Sequence, residues 1–279
     1  MALNPYLEAI LAGILWGLSG IFVKYLNLPP TTVTFFRLAV PSLILLLFLL
    51  IKKIKLFHGN NKLILLASTL NAGRVYLYTV GFTFASIGNA IIILYTWPIF
   101  TTIFSILFLK EKVPKRTFFL LFIAMVGTAL IYLNKEFSFS DQNFIGMTAI
   151  LLSAVIYALT VIIFKKESEK YSKYETIFYQ NLIGSIIFIP FIFLNKPLPT
   201  LSQTSIGIVY GALIGLVGFV FFFSALKKLK ASTVSFLSYT EVVSAIILAI
   251  IFFKEALTWN MVVGGLLIIL ATTLIKKED

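Results

Sequence analysis

The chain has 279 residues, 59% of them apolar and 12% charged, with a mean hydropathy of +1.01. An ordinary soluble domain carries about a quarter of its residues as charges, so this composition excludes a soluble enzyme, a disordered chain and a nucleic-acid-binding domain, despite a net charge of +12. The sequence has no Cys and a single His, His58, which removes disulfide and thiolate chemistry and leaves no His-based zinc or catalytic set.

A helix needs about 20 mostly apolar residues to cross a bilayer. Ten such stretches follow one another: 6–24, 32–51, 63–82, 87–109, 116–133, 144–164, 174–194, 205–226, 231–253 and 258–275. The runs are continuous rather than alternating, which predicts helices and not barrel strands. The first segment starts Met-Ala-Leu-Asn-Pro without a basic stretch, so it is expected to stay as a span rather than be cleaved. It carries Gly13, Trp16-Gly17, Gly20 and Lys24. The second begins near Thr34-Phe35-Phe36-Arg37, and the third holds Asn71 and Arg74. The fourth runs Tyr95-Thr96-Trp97-Pro98-Ile99-Phe100 and ends Leu109-Lys110-Glu111. Pro98 lacks an N–H and is expected to bend that helix, freeing carbonyls toward any cavity. Gly127 lies in the fifth, Tyr157-Ala158 and Lys165 in the sixth, Phe178-Tyr179-Gln180 in the seventh. The eighth has Gly207, Gly211, Gly215 and Gly218 on one face, which lets a neighbour approach and slide. The ninth contains Ser238-Tyr239-Thr240-Glu241 and ends Phe253-Lys254-Glu255, and the tenth holds Gly264-Gly265.

Lys and Arg in short loops set orientation. The loops after segments 2, 4, 6 and 8, with the C-terminus, hold 17 of them; the opposite side holds 4, namely Lys24, Lys135, Lys196 and Lys254. This bias predicts a multi-pass membrane protein with both termini cytoplasmic, in a bacterial inner membrane.

The second half echoes the first. Tyr95-Thr96 returns as Tyr239-Thr240 and Lys110-Glu111 as Lys254-Glu255 at the same offset; Trp16-Gly17 with Lys24 matches Tyr157-Ala158 with Lys165. Each half holds five helices, an odd number, so the second enters the membrane inverted. The expected fold is an all-α integral membrane protein of ten transmembrane helices in two inverted five-helix repeats, 1–135 and 136–279. Inverted repeats of this kind belong to secondary transporters, with the substrate site near the midplane between them.

These motifs in combination resemble the drug/metabolite transporter superfamily and, within it, the EamA-like family, over essentially the whole chain. Val242 departs from a Pro frequent in that family after the Glu, which puts in doubt a kink at that level of the ninth helix. The resemblance implies a central cavity lined mainly by helices 1, 3, 4, 6, 8 and 9 and alternating-access movement of a small metabolite.

Ionisable groups in hydrocarbon cost about 2.5–3.5 kcal/mol each on insertion scales. Arg74 and Glu241 lie deep. A guanidinium grips a carboxylate in a fork, and a carboxylate binds an ammonium, so the two together suit an amino acid or another zwitterion; they equally suit each other. Asn71, three residues before Arg74, shares its face and either orients the guanidinium or bonds substrate. Trp16, Tyr76, Tyr78, Tyr95, Trp97, Tyr157 and Tyr239 supply rings for an aromatic or cationic cargo or for packing. The candidate substrate residues are Trp16, Asn71, Arg74, Tyr78, Tyr95, Trp97, Tyr157, Tyr239 and Glu241, with no catalytic residue, no metal and no cofactor. Glu111 and Glu255 are expected to cap loops or close gates, and Lys24 and Lys165 to be solvated at helix ends.

The expected function is secondary transport of an amino-acid-like zwitterion. The alternatives are a cationic metabolite such as S-adenosylmethionine or a quaternary amine, and, from another class, a membrane-embedded enzyme. No phosphate-binding loop supports a pump, and no charged ring supports a channel. The expected partners are the small-molecule substrate and the lipid bilayer, with a coupling proton or a counter-substrate as the drive and no nucleic acid.

Overall fold

The computed structural model describes residues 3–57, 61–85, 87–133, 141–196, 198–254 and 257–275. His58, Lys135, Glu255, Lys276 and Lys277, which the sequence reading places in loops or at helix ends, lie outside the described residues.

All regular structure among the described residues is helical. In chain order the α-helices are α1 (Pro5–Gly17), α2 (Ser19–Leu26), α3 (Pro30–Ile51), α4 (Lys62–Phe84), α5 (Ile87–Leu94), α6 (Trp97–Leu109), α7 (Lys115–Ile131), α8 (Asp141–Glu167), α9 (Lys173–Leu194), α10 (Leu201–Tyr210), α11 (Gly218–Lys228), α12 (Ala231–Leu237), α13 (Thr240–Phe253) and α14 (Trp259–Ile275). A π-helical turn, Gly211–Val217, joins α10 to α11. Several of the expected segments are therefore two helices end to end. Among the described residues, eight of the resulting rods, against the ten spans expected, are long and apolar enough to cross a membrane. The other two, α7 and α14, have 17 residues each, or about 25 Å at the α-helical rise.

Local sequence explains the ends. Asn4 caps α1, its side chain accepting from the Tyr6 N–H at 2.9 Å, and Pro5 stands where a missing N–H costs nothing. Ser172 with Glu175 and Thr200 with Gln203 form capping boxes at the starts of α9 and α10. Lys110 and Lys254 end α6 and α13 in the same left-handed conformation, φ 56° and 52°.

The interior is largely apolar but holds many polar side chains, and the exterior is apolar as well, unlike a soluble domain. Asn71, Thr101, Ser153, Thr160, Gln180 and Asn181 are buried, while Leu47, Phe122, Ile186 and Leu270 are more than half exposed. With no water in hydrocarbon, lipid faces the outer side chains and polar groups turn inward to find partners. The chain is a multi-pass integral membrane protein.

Each helix of the first half finds partners in the second. α4 packs on α8 and α9, α3 on α9 and the π turn, α7 on α14, and α1 on α11 and α13. The glycine face of the eighth segment meets α3: Gly207 lies against Phe36, Gly211 against the Phe36 carbonyl and Val40, and Gly215 against the Arg37 carbonyl and Pro41. Gly127 and Gly264 bring α7 and α14 into backbone contact; a Cβ on Gly127 would sit 2.8 Å from the Gly264 carbonyl.

Two expectations are refined. Pro98 does not bend a continuous helix; it stands in the first turn of α6, after an interruption at Tyr95-Thr96. The carbonyls beside that break are taken up rather than offered: the Tyr95 oxygen accepts from the Tyr239 hydroxyl and the Ile93 oxygen from the Thr96 hydroxyl. Without a proline, the ninth segment breaks at the equivalent place, Ser238-Tyr239. There the N–H groups of Ser238, Tyr239, Glu241 and Val242 each reach back three residues instead of four, and the Ser238 and Thr240 hydroxyls bond to carbonyls of the preceding turn.

Candidate substrate site

The two helix breaks lie side by side at the centre of the bundle. The Tyr239 hydroxyl donates to the Tyr95 carbonyl at 2.7 Å, and the two rings pack 5.5 Å apart. Around this junction is a chamber of about 40 Å³ walled by Trp16, Ser19, Arg37, Arg74, Tyr78, Leu94, Tyr95, Trp97, Tyr157, Ile214 and Glu241. That is room for one small polar group.

Two larger spaces adjoin it. One, of about 450 Å³, shares Trp16, Ser19, Tyr78, Leu94, Tyr95 and Glu241 with the chamber. The other, of about 360 Å³, shares Ser19, Arg37 and Tyr78 with it. Both reach Lys24, Gly20 and Phe82, so both run toward the Lys24 end of the bundle. The opposite end is sealed. Glu8, only 5% exposed, accepts from Lys228 at 2.9 Å and from Ser224 at 2.8 Å. Glu111 takes the Ala231 N–H at 2.7 Å and the Ser232 hydroxyl at 3.0 Å, capping α12. Lys165 donates to the last carbonyls of α11, Leu226 at 2.6 Å and Leu229 at 2.8 Å. Glu111 thus caps and Lys165 plugs a helix end, while Lys24 stands on the cavity wall.

Within the chamber, Arg74 is held from behind. Its Nε donates to Asn71 Oδ1 at 3.2 Å, and Asn71 is itself fixed by donating to the Gln180 carbonyl at 3.0 Å. The guanidinium lies 4.3 Å over the Tyr157 ring, whose other neighbour is Trp97 at 4.6 Å. Trp16 is anchored by its Nε1, 3.3 Å from the Ile214 carbonyl, against Phe219 and Phe222. Among the described residues, neither Arg37 nor Arg74 forms an ion pair with Glu241. Glu241 faces the chamber beside Tyr95, close enough for their side chains to interact.

Seven of the nine sequence-predicted residues therefore line one space: Trp16, Arg74, Tyr78, Tyr95, Trp97, Tyr157 and Glu241. Asn71 and Tyr239 stand one layer behind it, the first 1% exposed and bonded to Arg74, the second fully buried and bonded to Tyr95. Tyr76, grouped with the other rings by its segment alone, is half exposed on the outside. Sequence reasoning missed Arg37, Ser19 and Tyr210. The signal for Arg37 was depth: it lies seven residues into α3, roughly 10 Å along the axis.

Membrane-spanning helices packed around a central cavity that reaches one end of the bundle and carries buried charges are the arrangement of a transport protein. A sequence model described as the EamA-like transporter family matches residues 4–133 and again 144–276, and the chain belongs to that family. The curated relatives are transporters too. The pseudopaline exporter CntI of Pseudomonas aeruginosa is 26% identical over 97% of this chain and 95% of its own. The S-adenosylmethionine uptake transporter of Rickettsia bellii is 26% identical over 99% and 97%. Solute carrier family 35 member G1 of the mouse is 26% identical over 95% of this chain and 76% of its own. A solved crystal structure of 16% identity superposes with a TM-score of 0.86 over 99% of both chains, a likeness of fold.

Proposed function

We propose that the protein is a secondary transporter of an amino-acid-like zwitterion, working by alternating access between two inverted five-helix repeats, 1–135 and 136–279. The observation that carries this reading is the pair Arg74 and Glu241, opposite charges facing one chamber without pairing to each other. A desolvated charge is held in hydrocarbon only where something repays it. A cargo carboxylate in the chamber on Arg74 and a cargo ammonium on Glu241, which also lines the 450 Å³ space, satisfy both at once, and the rest of the molecule extends into the larger spaces beside the chamber. Asn71 and Tyr157 orient the guanidinium before the cargo arrives, which spares the binding event that ordering.

Both termini are cytoplasmic in this reading, in a bacterial inner membrane, from the Lys and Arg bias of the loops. The Lys24 end then faces outward and the structure is the outward-open state. Tyr95 and Tyr239, at equivalent places in the two repeats, form the joint about which the repeats rock. The drive is a proton carried on Glu241 or a counter-substrate; a flux indifferent to an imposed pH gradient selects the second.

The second reading, a cationic cargo such as S-adenosylmethionine, is favoured by the name of the Rickettsia bellii relative and by Glu241 among aromatic rings. It shares the carboxylate anchor, since that molecule carries an amino-acid end.

The test is a thermal-shift screen of the purified protein in detergent, followed by flux into liposomes. A ligand that binds only the folded state raises its apparent stability. Shifts from amino acids or S-adenosylmethionine that vanish with the carboxyl-free analogue, and vanish again in Arg74→Gln, are expected. Shifts from carboxyl-free cations alone would overturn the role given to Arg74.

A further inference from the structure

The geometry points to Arg37 as a second acid-binding anchor of this cavity, so that the preferred cargo is an amino acid carrying a second carboxylate. The inference rests on the amino-acid reading above and extends it to the side chain of the cargo.

Arg37 is the one cation that lines both the chamber and the 360 Å³ space beside it. It sits well inside α3, at the depth of hydrocarbon, where an unsatisfied guanidinium is costly. Among the described residues it makes no hydrogen bond and no ion pair. Arg74, by contrast, already spends its Nε on Asn71 and its face on Tyr157. Arg37 thus has its whole fork of donors for a ligand.

Its backbone is placed with little freedom. The Arg37 carbonyl lies directly against Gly215 of the π turn, and Phe36 before it lies against Gly207 and Gly211. No side chain fits between the two backbones, so α3 cannot withdraw Arg37 without unpacking the π turn. Insertions of this kind occur often at functional sites, and here the turn also supplies Ile214 to the chamber wall.

The adjoining space is lined for an acid. Its polar groups beside Arg37 are hydroxyls, Ser19 bonded to Tyr210 at 3.2 Å and Thr34 to Thr79 at 3.3 Å. Its lining includes Lys24 and no carboxylate. Setting Lys24 aside, two guanidiniums still share the connected cavity with the single carboxylate of Glu241. An ordinary neutral amino acid satisfies Arg74 and Glu241 and leaves Arg37 beside a like charge in a poorly screened space. A dicarboxylic amino acid satisfies all three. The chamber has room for one acid group and the 360 Å³ space for the other end.

The experiment is titration calorimetry on the full-length protein in detergent, with L-aspartate, L-glutamate and L-2-aminoadipate set against L-asparagine and L-glutamine, and O-phosphoserine as a different acid. The best dicarboxylate is expected to bind about tenfold or more tightly than its amide counterpart, as one charge-assisted fork is worth. Arg37→Gln is expected to bring acid and amide within twofold of each other, and Arg74→Gln to lose both. Should Arg37→Gln not fold, Arg37→Lys, which keeps the charge and loses the fork, is expected to reduce the preference to a few fold. Equal affinity for acid and amide in the unmodified protein, or an equal loss of both in the Arg37 variant, overturns the second anchor and leaves the amino-acid reading standing. Tighter binding of phosphoserine than of every dicarboxylate overturns the choice of carboxylate. Binding by none of these overturns both readings together.

Discussion

The Tyr239 hydroxyl donates to the backbone carbonyl of Tyr95, its counterpart 144 residues earlier, at 2.7 Å. This bond joins the two helix breaks and takes up a carbonyl that the interruption of α5 and α6 would leave unpaired in the bilayer. The relationship is not reciprocal: Tyr95 turns its own side chain toward Glu241 and the chamber. The two tyrosines should therefore respond differently to loss of the hydroxyl. Tyr239→Phe leaves a buried carbonyl unsatisfied and is expected to cost about 1–2 kcal/mol of stability. Tyr95→Phe keeps the backbone acceptor and the ring contact, so it should cost less stability than Tyr239→Phe while substrate affinity changes. Unfolding in detergent and ligand titration of both variants check this; equal stability losses would contradict it.

The contact of α7 with α14 gives a sharper steric prediction. A Cβ on Gly264 would run into the Gly127 carbonyl and Ile131, whereas one on Gly265, its chain neighbour, meets nothing within 4 Å. Gly264→Ala should cost about 1–3 kcal/mol by overpacking two backbones. Gly265→Ala should be neutral or stabilise by up to about 1 kcal/mol, because alanine loses less freedom than glycine in a helix. Melting the two variants in one detergent reads the difference directly, and a similar melting temperature for both would refute the close approach.

Much of this arrangement was legible in the sequence because a bilayer imposes simple demands. Length and hydropathy located the helical stretches among the described residues, eight of them long and apolar enough to cross a membrane, and the costly intramembrane charges Arg74 and Glu241 pointed to residues that line the chamber. The glycines of the eighth segment announced a close neighbour, though not that it would be Phe36 and the Arg37 backbone. What stayed hidden depended on facing and local backbone. Tyr76 and Tyr78 are two residues apart on one helix, and only the packing of α4 against α8 and α9 sends the first outward and the second to the cavity. The break at Ser238-Tyr239 has no proline to signal it; it is written in hydroxyls that compete for the backbone. Arg37 hid near the start of its segment, where a cation reads as an interface residue until its depth is counted.

The sealed end yields a prediction about populations. Glu8 is buried with Ser224 and Lys228 on its two oxygens, and Lys228 is 40% exposed. Solvent screens such a pair, so its loss is worth about 1 kcal/mol, which is roughly a fivefold shift between states. The chain has no cysteine, so single cysteines can report access without background. A maleimide should label Thr83→Cys, on the wall of the open space, and spare Ala12→Cys, fully buried one turn from Glu8. Adding Glu8→Gln should raise the Ala12→Cys rate about fivefold and lower that of Thr83→Cys. If both sites react faster, the substitution has loosened the protein and the ion pair is not a latch.

The last prediction separates holding Arg74 from competing for it. Asn71 accepts from the Arg74 Nε and donates to the Gln180 carbonyl. Asn71→Ala removes both bonds, leaving the Gln180 oxygen and the guanidinium edge without their partner, and should cost about 1–3 kcal/mol of stability together with substrate affinity. Asn71→Asp is the informative variant. It keeps an acceptor for Nε but sets a full negative charge against Arg74, which neutralises the guanidinium from behind. Stability should fall by about 1–3 kcal/mol, because a carboxylate oxygen replaces the amide N–H that donated to the Gln180 carbonyl, while affinity for a carboxylate cargo falls about tenfold or more as the anchor is satisfied without it. Were Arg74 a purely structural cation, the same variant would leave binding untouched. Parallel melting and titration of the two variants decide between these accounts, since only a substrate anchor loses binding in a protein that remains folded.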